Sequence, residues 1–289
     1  MARRPIEGHP DAVLWDLREG YPGEAPLPKA DAIVHSAASL ATSDVSGELR
    51  RANVEGTRRI LEAWPGVPFV FVSSASVYPP SRVAAGGRPL AEGDSTGEGL
   101  HDDYSRSKLE AEEVLVEESE RTGRPVTILR ASIIYGPGDR TILPRIRRLR
   151  LGGWALVPGG KRRRKWSMTP IDLLNEAARV SVERPPEGVR VLNVAEEPPE
   201  RMQHLFRRLL EEDAGRRVRV ITLPMWLMWI AGAVVEGWCR LFRVSKSPMV
   251  TRSAVAYVSE ERILDLKALK GFLGEGAVGP TGESQDARS

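Results

Sequence analysis

A chain of 289 residues, 41% hydrophobic and 28% charged, can bury a large core in one large or two unequal domains, and its composition is ordinary for a soluble globular protein. Its net charge of +3 comes from local arginine clusters rather than a uniformly basic surface, so no nucleic-acid partner is expected. A single cysteine, Cys239, and four histidines without ligand spacing exclude an intramolecular disulfide and argue against a structural metal, which fits a reducing, cytoplasmic setting.

No apolar run follows Met1-Ala2-Arg3-Arg4-Pro5, so no secretory signal is expected. Ala12-Val13-Leu14-Trp15 reads as a short strand, with Asp16-Leu17 at its end. Asp31-Ala32-Ile33-Val34-His35 is a second apolar strand running into the small residues Ser36-Ala37-Ala38-Ser39, where a ligand can lie close to the backbone. Asn53 to Ala63 has helical spacing, with Asn53 suited to its amino-terminal cap. After the turn Pro65-Gly66-Val67-Pro68, Phe69 to Val72 reads as a buried strand ending in Ser73, Ser74 and Ser76; strand-end hydroxyls also commonly bond local backbone. Pro79 to Gly99 turns to Pro, Gly, Ser and charge, predicting an exposed loop that serves as part of a lid.

The most informative stretch is Asp103-Tyr104-Ser105-Arg106-Ser107-Lys108, opening a helix that runs to Glu120. Tyr104 and Lys108 are four apart and stack on one helix face. A phenol is a weak base at neutral pH, and a neighbouring ammonium favours its phenolate, so the pair suits proton exchange with a hydroxyl. The same spacing also occurs on solvated helices. Val126 to Arg130 is the next strand, and Ala131 to Asp139 a loop carrying Tyr135-Gly136-Pro137-Gly138-Asp139.

Further on, Pro144 to Arg150 reads as a basic helix and Lys161-Arg162-Arg163-Arg164-Lys165 as a basic run. The run is open to capture of a phosphate or an anionic membrane, or to simple solvation. Asp172 to Glu183 reads as a capped helix, Val191 to Val194 as a strand, and Pro199 to Asp213 as an amphipathic helix. Leu223 to Val235 is apolar all round, extended by Trp238, Leu241 and Phe242. It is too short to span a bilayer comfortably. It reads as a hydrophobic substrate lobe or dimer contact, with an interfacial membrane helix as the alternative.

Taken in order, His35-Ser36-Ala37-Ala38, Asn53-Val54-Glu55-Gly56-Thr57, Ser73 to Tyr78, Tyr104 to Lys108 and Arg130 to Asp139 resemble the extended short-chain dehydrogenase/reductase family. The nearest branches are its nucleotide-sugar epimerase/dehydratases and 3β-hydroxysteroid dehydrogenases. The resemblance implies an α/β fold with a doubly wound, Rossmann-like, mostly parallel sheet and a smaller carboxy-terminal substrate lobe. The expected division is a Rossmann-like catalytic core over 1–150, a substrate-binding lobe interwoven with it over 151–275, and a disordered tail over 276–289.

The same resemblance implies NAD or NADP as cofactor, contacted by Asp16, His35, Ala37, Ala38, Asn53, Ser73, Tyr104 and Lys108. In the implied mechanism Ser74 holds the substrate oxygen, Tyr104 exchanges its proton, and Lys108 lowers the Tyr104 pKa while binding the nicotinamide ribose. Arg130 and Tyr135 are site-shaping. Arg3 and Arg4 suit a ribose 2′-phosphate if the cofactor is NADP. No Gly-x-x-Gly-x-x-Gly precedes Asp31, so the resemblance also implies that a first portion of about thirty to forty residues is missing. Two explanations are open: the written start is an internal Met and the chain is truncated at its amino terminus, favoured because the missing strand would lie mid-sheet, or the chain is a variant that has lost its pyrophosphate site. On either, the polypeptide as written should bind cofactor poorly. A small-molecule substrate is expected, of sterol-like or nucleotide-sugar-like type, with peripheral membrane contact through 223–242 and a homodimer as further expectations. The rival classes are a cofactor-free scaffold and a membrane-surface protein derived from this fold.

Overall fold

A computed structural model describes residues 13, 15–20, 27–40, 47–79, 87–100, 102–139, 141–158, 165–241 and 261–278. Arg3, Arg4, residues 161–164 of the basic run, Phe242 and the tail from 279 onward lie outside them. The described residues fall into two units: Met1–Val77, Asp102–Arg130 and Ala178–Leu192 in the first, Tyr78–His101, Ala131–Ala177 and Asn193–Ser289 in the second.

Apolar runs interrupted by turns make the sheet of the first unit. Its strands β1 (Ile33–His35), β2 (Phe69–Ser74), β3 (Val126–Ala131) and β8 (Val189–Val194) lie in the order β1-β2-β3-β8, and β1 pairs with β2 in parallel. The amino ends are stitched by Ile33 N to Pro68 O, Phe69 N to Pro125 O and Val126 N to Gly188 O, each 2.9 Å. The carboxyl ends of these strands therefore share one edge, where an α/β sheet presents its chemistry. Every residue of β3 is buried, Thr127 and Arg130 included, as expected of a strand covered on both faces.

Against this sheet pack α1 (Glu48–Arg50), α2 (Gly56–Ala63) and α3 (Asp103–Thr122). Ile60, Leu61, Phe69, Phe71, Val114, Leu115 and Ile128 form one core cluster with Trp15 and Trp64. Arg124 is buried there; its guanidinium donates to Val67 O (2.6 Å) and Leu61 O (3.1 Å) and lies over the Phe69 ring. It thus ties α2 and β2 to the turn after α3. Helix α3 starts where Asp102 accepts from Ser105 N (2.7 Å) and stops at Gly123, whose φ of 75° is left-handed.

The second unit is built on β4 (Ile133–Tyr135) paired in parallel with β7 (Met168–Pro170). A separate three-stranded sheet contains β5 (Arg150–Leu151), β6 (Trp154–Pro158) and β9 (Arg219–Leu223). The unit also holds α4 (Ile142–Arg147), the first half of α5 (Ile171–Glu183), whose residues from Ala178 belong to the first unit, α6 (Met202–Ala214), α7 (Met225–Leu241) and α8 (Lys267–Leu273). Tyr135, Ile146, Ala155, Val157, Trp166, Met168, Leu205 and Leu210 share its core. Asp139 accepts from the backbone N–H groups of Thr141, Ile142 and Leu143, capping α4 and holding its carboxyl below the usual range against the opposing effect of burial.

Several sequence expectations change. Val13 and Trp15 are not in a strand, because the chain turns at once, with Trp15 Nε1 donating to Gly20 O (2.9 Å) and Glu19 N to Asp16 O (3.0 Å). The helix expected from Asn53 begins at Glu48, and α1 passes into α2 through a π-helical turn, Arg51–Glu55. Asn53 therefore sits mid-helix rather than at a cap. The loop expected over 131–139 contains β4, and the basic helix ends at Arg147, with Arg150 in β5. In the loop expected over 79–99, Leu90 is buried and bridges to Leu264, through Leu90 N to Ile263 O (2.8 Å) and Asp265 N to Leu90 O (2.7 Å). The tail expected from 276 is ordered as far as a buried Val278, whose carbonyl accepts from Glu197 N (3.0 Å).

Candidate active site

All nine residues singled out as catalytic or cofactor-contacting fall in the first unit. Its centre is the contact between the start of α3 and the carboxyl end of β2. Toward the carboxyl end of α3 the buried face is mostly apolar, with Ala111, Val114 and Leu115 and, near the end, Ser119, which donates to Arg124 O; toward the amino end it is polar, with Ser105, Ser107, Lys108 and Glu112. Buried polar groups need partners, and each of the last three reaches a different part of the site.

Lys108 is 2% exposed, donates from Nζ to Val72 O (2.8 Å), and lies over the Phe71 ring at 4.4 Å. Val72 is two residues before Ser74, so this bond fixes the helix carrying Tyr104 to the strand carrying Ser74. Burial pulls the Lys108 pKa down to about 8, with Glu112 acting in the opposite direction. Two ammonium protons of Lys108 have no partner among the described residues, which fits them to the hydroxyls of a nicotinamide ribose.

Ser74, half-buried at the end of β2, accepts from Ser76 N (3.1 Å). That bond uses an oxygen lone pair, and the hydroxyl proton has no partner among the described residues. Tyr104 is half-buried one helical turn before Lys108. Its carbonyl accepts from Ser107 Oγ (2.8 Å), and Ser107 Oγ accepts in turn from Asn53 Nδ2 (2.9 Å). Asn53 also brackets the backbone of Ser39, with Ser39 N donating to Oδ1 (2.7 Å) and Nδ2 donating to Ser39 O (3.1 Å). A single amide thereby joins the segment after β1 to the first turn of α3, and the π-helical turn that carries it is a form often found at functional sites.

Ala37 is exposed and Ala38 half-buried beyond β1, leaving this strand exit open to a ligand. His35 is buried between the Phe69 and Phe71 rings. Thr57 Oγ1 gives its proton to Asn53 O (2.7 Å), so His35 Nε2, 3.1 Å away, is the donor of their shared bond. Burial, with Lys108 nearby, lowers its pKa to about 3, and the imidazole stays neutral as a wall of the site. Asp16 is ion-paired with Arg18 (2.6 Å). Ser73 turns away from the strand end and donates to Glu112 Oε1 (2.5 Å), which with Oε2 also receives Arg130. Gly56 stands where a Cβ would come within 2.9 Å of Leu17 Cβ, so its lack of a side chain lets α2 approach the turn after Asp16.

Sequence reasoning passed over Ser107, Glu112 and Thr57. For Ser107 and Glu112 the signal was a departure from pattern, polar residues on the buried face of α3 three residues after Tyr104 and four after Lys108; Thr57 stands likewise as a polar residue on the buried face of α2.

The buried ammonium carries a stability consequence. Its folded pKa is near 8 and its unfolded value near 10.5, so the unfolded chain holds the extra proton between them. The destabilisation is thus complete below pH 8 and fades as pH rises toward 10.5. Lys108→Met is expected to raise the urea midpoint at pH 7 by an amount equivalent to about 1–3 kcal/mol, with the gain shrinking by pH 10. A midpoint lowered at both pH values would contradict the burial assigned to this side chain.

Residues 26–170 match the model of an NAD-binding family described as male sterility protein. A UDP-glucose 4-epimerase of Vibrio cholerae is 29% identical over 197 residues, 64% of this chain and 59% of its own. A 3-beta-hydroxysteroid dehydrogenase of Mycolicibacterium neoaurum is 29% identical over 157 residues, 49% of this chain and 41% of its own. The chain spans less than two thirds of the length of the curated relatives it matches. Among solved structures, MoeE5 in complex with UDP-glucose and NAD superposes with a TM-score of 0.63 at 22% identity, over 97% of this chain and 84% of that one, a likeness of fold. With half its length matched by the family model, the chain belongs to the NAD-binding family of male sterility proteins, which are of short-chain dehydrogenase/reductase type.

Proposed function

We propose that this protein is an NAD(P)-dependent oxidoreductase or epimerase acting on a hydroxyl or carbonyl through Ser74, Tyr104 and Lys108. One observation carries the reading: a buried ammonium is bonded to β2 two residues before Ser74, whose hydroxyl proton is uncommitted, and one turn after Tyr104. In this reading Ser74 donates to the substrate oxygen and Tyr104 exchanges a proton with it. Lys108 favours the Tyr104 phenolate by its charge and donates its remaining protons to the cofactor ribose. Asn53 holds the start of α3 in register, His35, Ala37, Ala38 and Asp16 line or support the cofactor side, and Ser73, bonded to Glu112, backs the strand end that carries Ser74. When bound, NAD or NADP supplies or accepts the hydride.

The substrate proposed is sterol-like or nucleotide-sugar-like, the two classes named by the steroid dehydrogenase and the epimerase among the relatives. A homodimer belongs to the same proposal. The test is oxidation of NADH and NADPH at millimolar concentration in the presence of a 3-oxosteroid or a nucleotide 4-ketosugar. Substrate-dependent turnover with either class supports the reading, whereas absence of binding of both cofactors by calorimetry at that concentration would remove it.

A further inference from the structure

Nine of the eleven large hydrophobic side chains that stand exposed among the described residues belong to β6, β9 and α7 of the second unit. They are Trp154 on β6, Ile221 on β9, and Trp226, Leu227, Trp229, Ile230, Val234, Val235 and Trp238 on α7, between 37% and 65% exposed. Monomeric proteins seldom expose so much apolar surface on elements that follow one another in the chain.

The local folding accounts for the patch. In the parallel pair β6–β9, Trp154 faces Arg219 and Leu156 faces Ile221. Side chains alternate along each strand, so Ala155 and Val157 enter the core while Trp154, Arg219 and Ile221 stand outward. One residue after β9, at Pro224, the chain enters α7, where Met228 is buried and Trp226, Trp229, Ile230, Val234 and Trp238 are not. At 17 residues, α7 is about 25 Å long, short of the roughly 30 Å of a bilayer core. No described helix is long and apolar enough to cross a membrane.

Charge identifies what covers it. Arg216, Arg217 and Arg219 stand exposed just before α7, and none has an ion pair among the described residues. Together with Arg207, Trp154 and one carboxylate, Glu211, which accepts from Val218 N (3.0 Å), Arg217 and Arg219 line a groove beside the sheet, three guanidinium groups to one carboxylate. In sequence, Arg240, Arg243 and Lys246 follow the apolar stretch, and Glu236 is its sole carboxylate between Asp213 and Glu260. An apolar helix bearing tryptophans and flanked by arginines matches the bilayer interface, where indoles settle at headgroup depth and guanidinium groups meet phosphate. A second copy docked by its own identical patch would set these arginines against themselves.

We infer that the outward face of β6–β9 and α7 docks this protein on anionic phospholipid bilayers without crossing them. The inference rests on the second unit alone and stands or falls independently of the catalytic residues. Flotation of the full chain with vesicles of phosphatidylcholine, with and without added phosphatidylglycerol, tests it. The protein is expected to rise with the anionic vesicles and to be released by salt. Joint replacement of Arg216, Arg217 and Arg219 by Ala is expected to weaken binding on the order of a hundredfold, about fivefold for each charge near the surface. Trp226→Ala with Trp229→Ala and Trp238→Ala is expected to abolish it, and an unchanged near-ultraviolet dichroism outside the tryptophan bands shows that the fold survives. Protein that stays at the bottom with both vesicle types overturns the inference. So does binding indifferent to the arginines, or self-association in the ultracentrifuge that the tryptophan replacements remove.

Discussion

Tyr104→Phe is expected to lower turnover by a factor on the order of 10²–10⁴, the usual contribution of a positioned proton-transfer group, while leaving cofactor affinity nearly unchanged. The separation follows from where the atoms sit. Tyr104 contributes to the framework through its backbone carbonyl, which accepts from Ser107, and phenylalanine keeps that carbonyl and the ring. Lys108, bonded to Val72 O, is untouched. Only the hydroxyl is lost, and with it the proton. Measuring kcat and the cofactor dissociation constant on the same preparations separates the two effects. Equal loss of affinity and turnover would instead make the phenol a binding group.

Glu112→Ala carries the largest expected effect on stability, a destabilisation of about 3–5 kcal/mol, the range for removing one partner from a buried ion pair. Glu112 and Arg130 are both buried, the closest of their contacts is 2.7 Å, and Ser73 Oγ fills a remaining acceptor site on Glu112. Without the carboxylate, a guanidinium and a hydroxyl on adjacent strands lose their shared acceptor. Because Ser73 neighbours Ser74, the strand end is expected to loosen as well, so residual activity should fall alongside the urea midpoint. A shift below about 1 kcal/mol would place the group in the class of solvated surface pairs and contradict its burial.

Much of the fold was legible before any coordinates, because the signals were local. Phe69 to Val72 is an unbroken apolar run and Val126 to Arg130 a β-branched and apolar stretch after the turn at Gly123 to Pro125, and they became the strands β2 and β3. The capping Asp102 and the stop at Gly123 bound α3 within a few residues of expectation. What was missed depends on distant partners. Trp154 to Pro158 and Arg219 to Leu223 pair with one another across sixty residues of chain, and half their side chains stand outside, so neither shows a clear apolar alternation. Asn53 carries two readings, a residue that holds the neighbouring strand and a plain helix cap; only its long-range bonds to the Ser39 backbone beyond β1 separate them, in favour of the first. Ser73 looked like a cofactor contact because it sits at a strand end, and only Glu112, 39 residues away, reveals the other direction.

The apolar stretch from Leu223 shows the same limit in reverse. Composition announces that something must cover it, and a buried lobe was the simpler expectation. Exposure of Trp226, Trp229 and Trp238 at 50–65%, together with the neighbouring arginines, is what favours a lipid surface.

The measurement that bears most directly on the central claim is transfer of deuterium from 4-deuterated NADPH or NADH to a carbonyl substrate, compared between the wild-type protein and Tyr104→Phe. Label in the alcohol product with the wild-type protein, and its loss with Tyr104→Phe, is the expected result. Transfer at the same rate in both proteins would contradict the role given to Tyr104, and no transfer by the wild-type protein from either cofactor would contradict the enzyme itself.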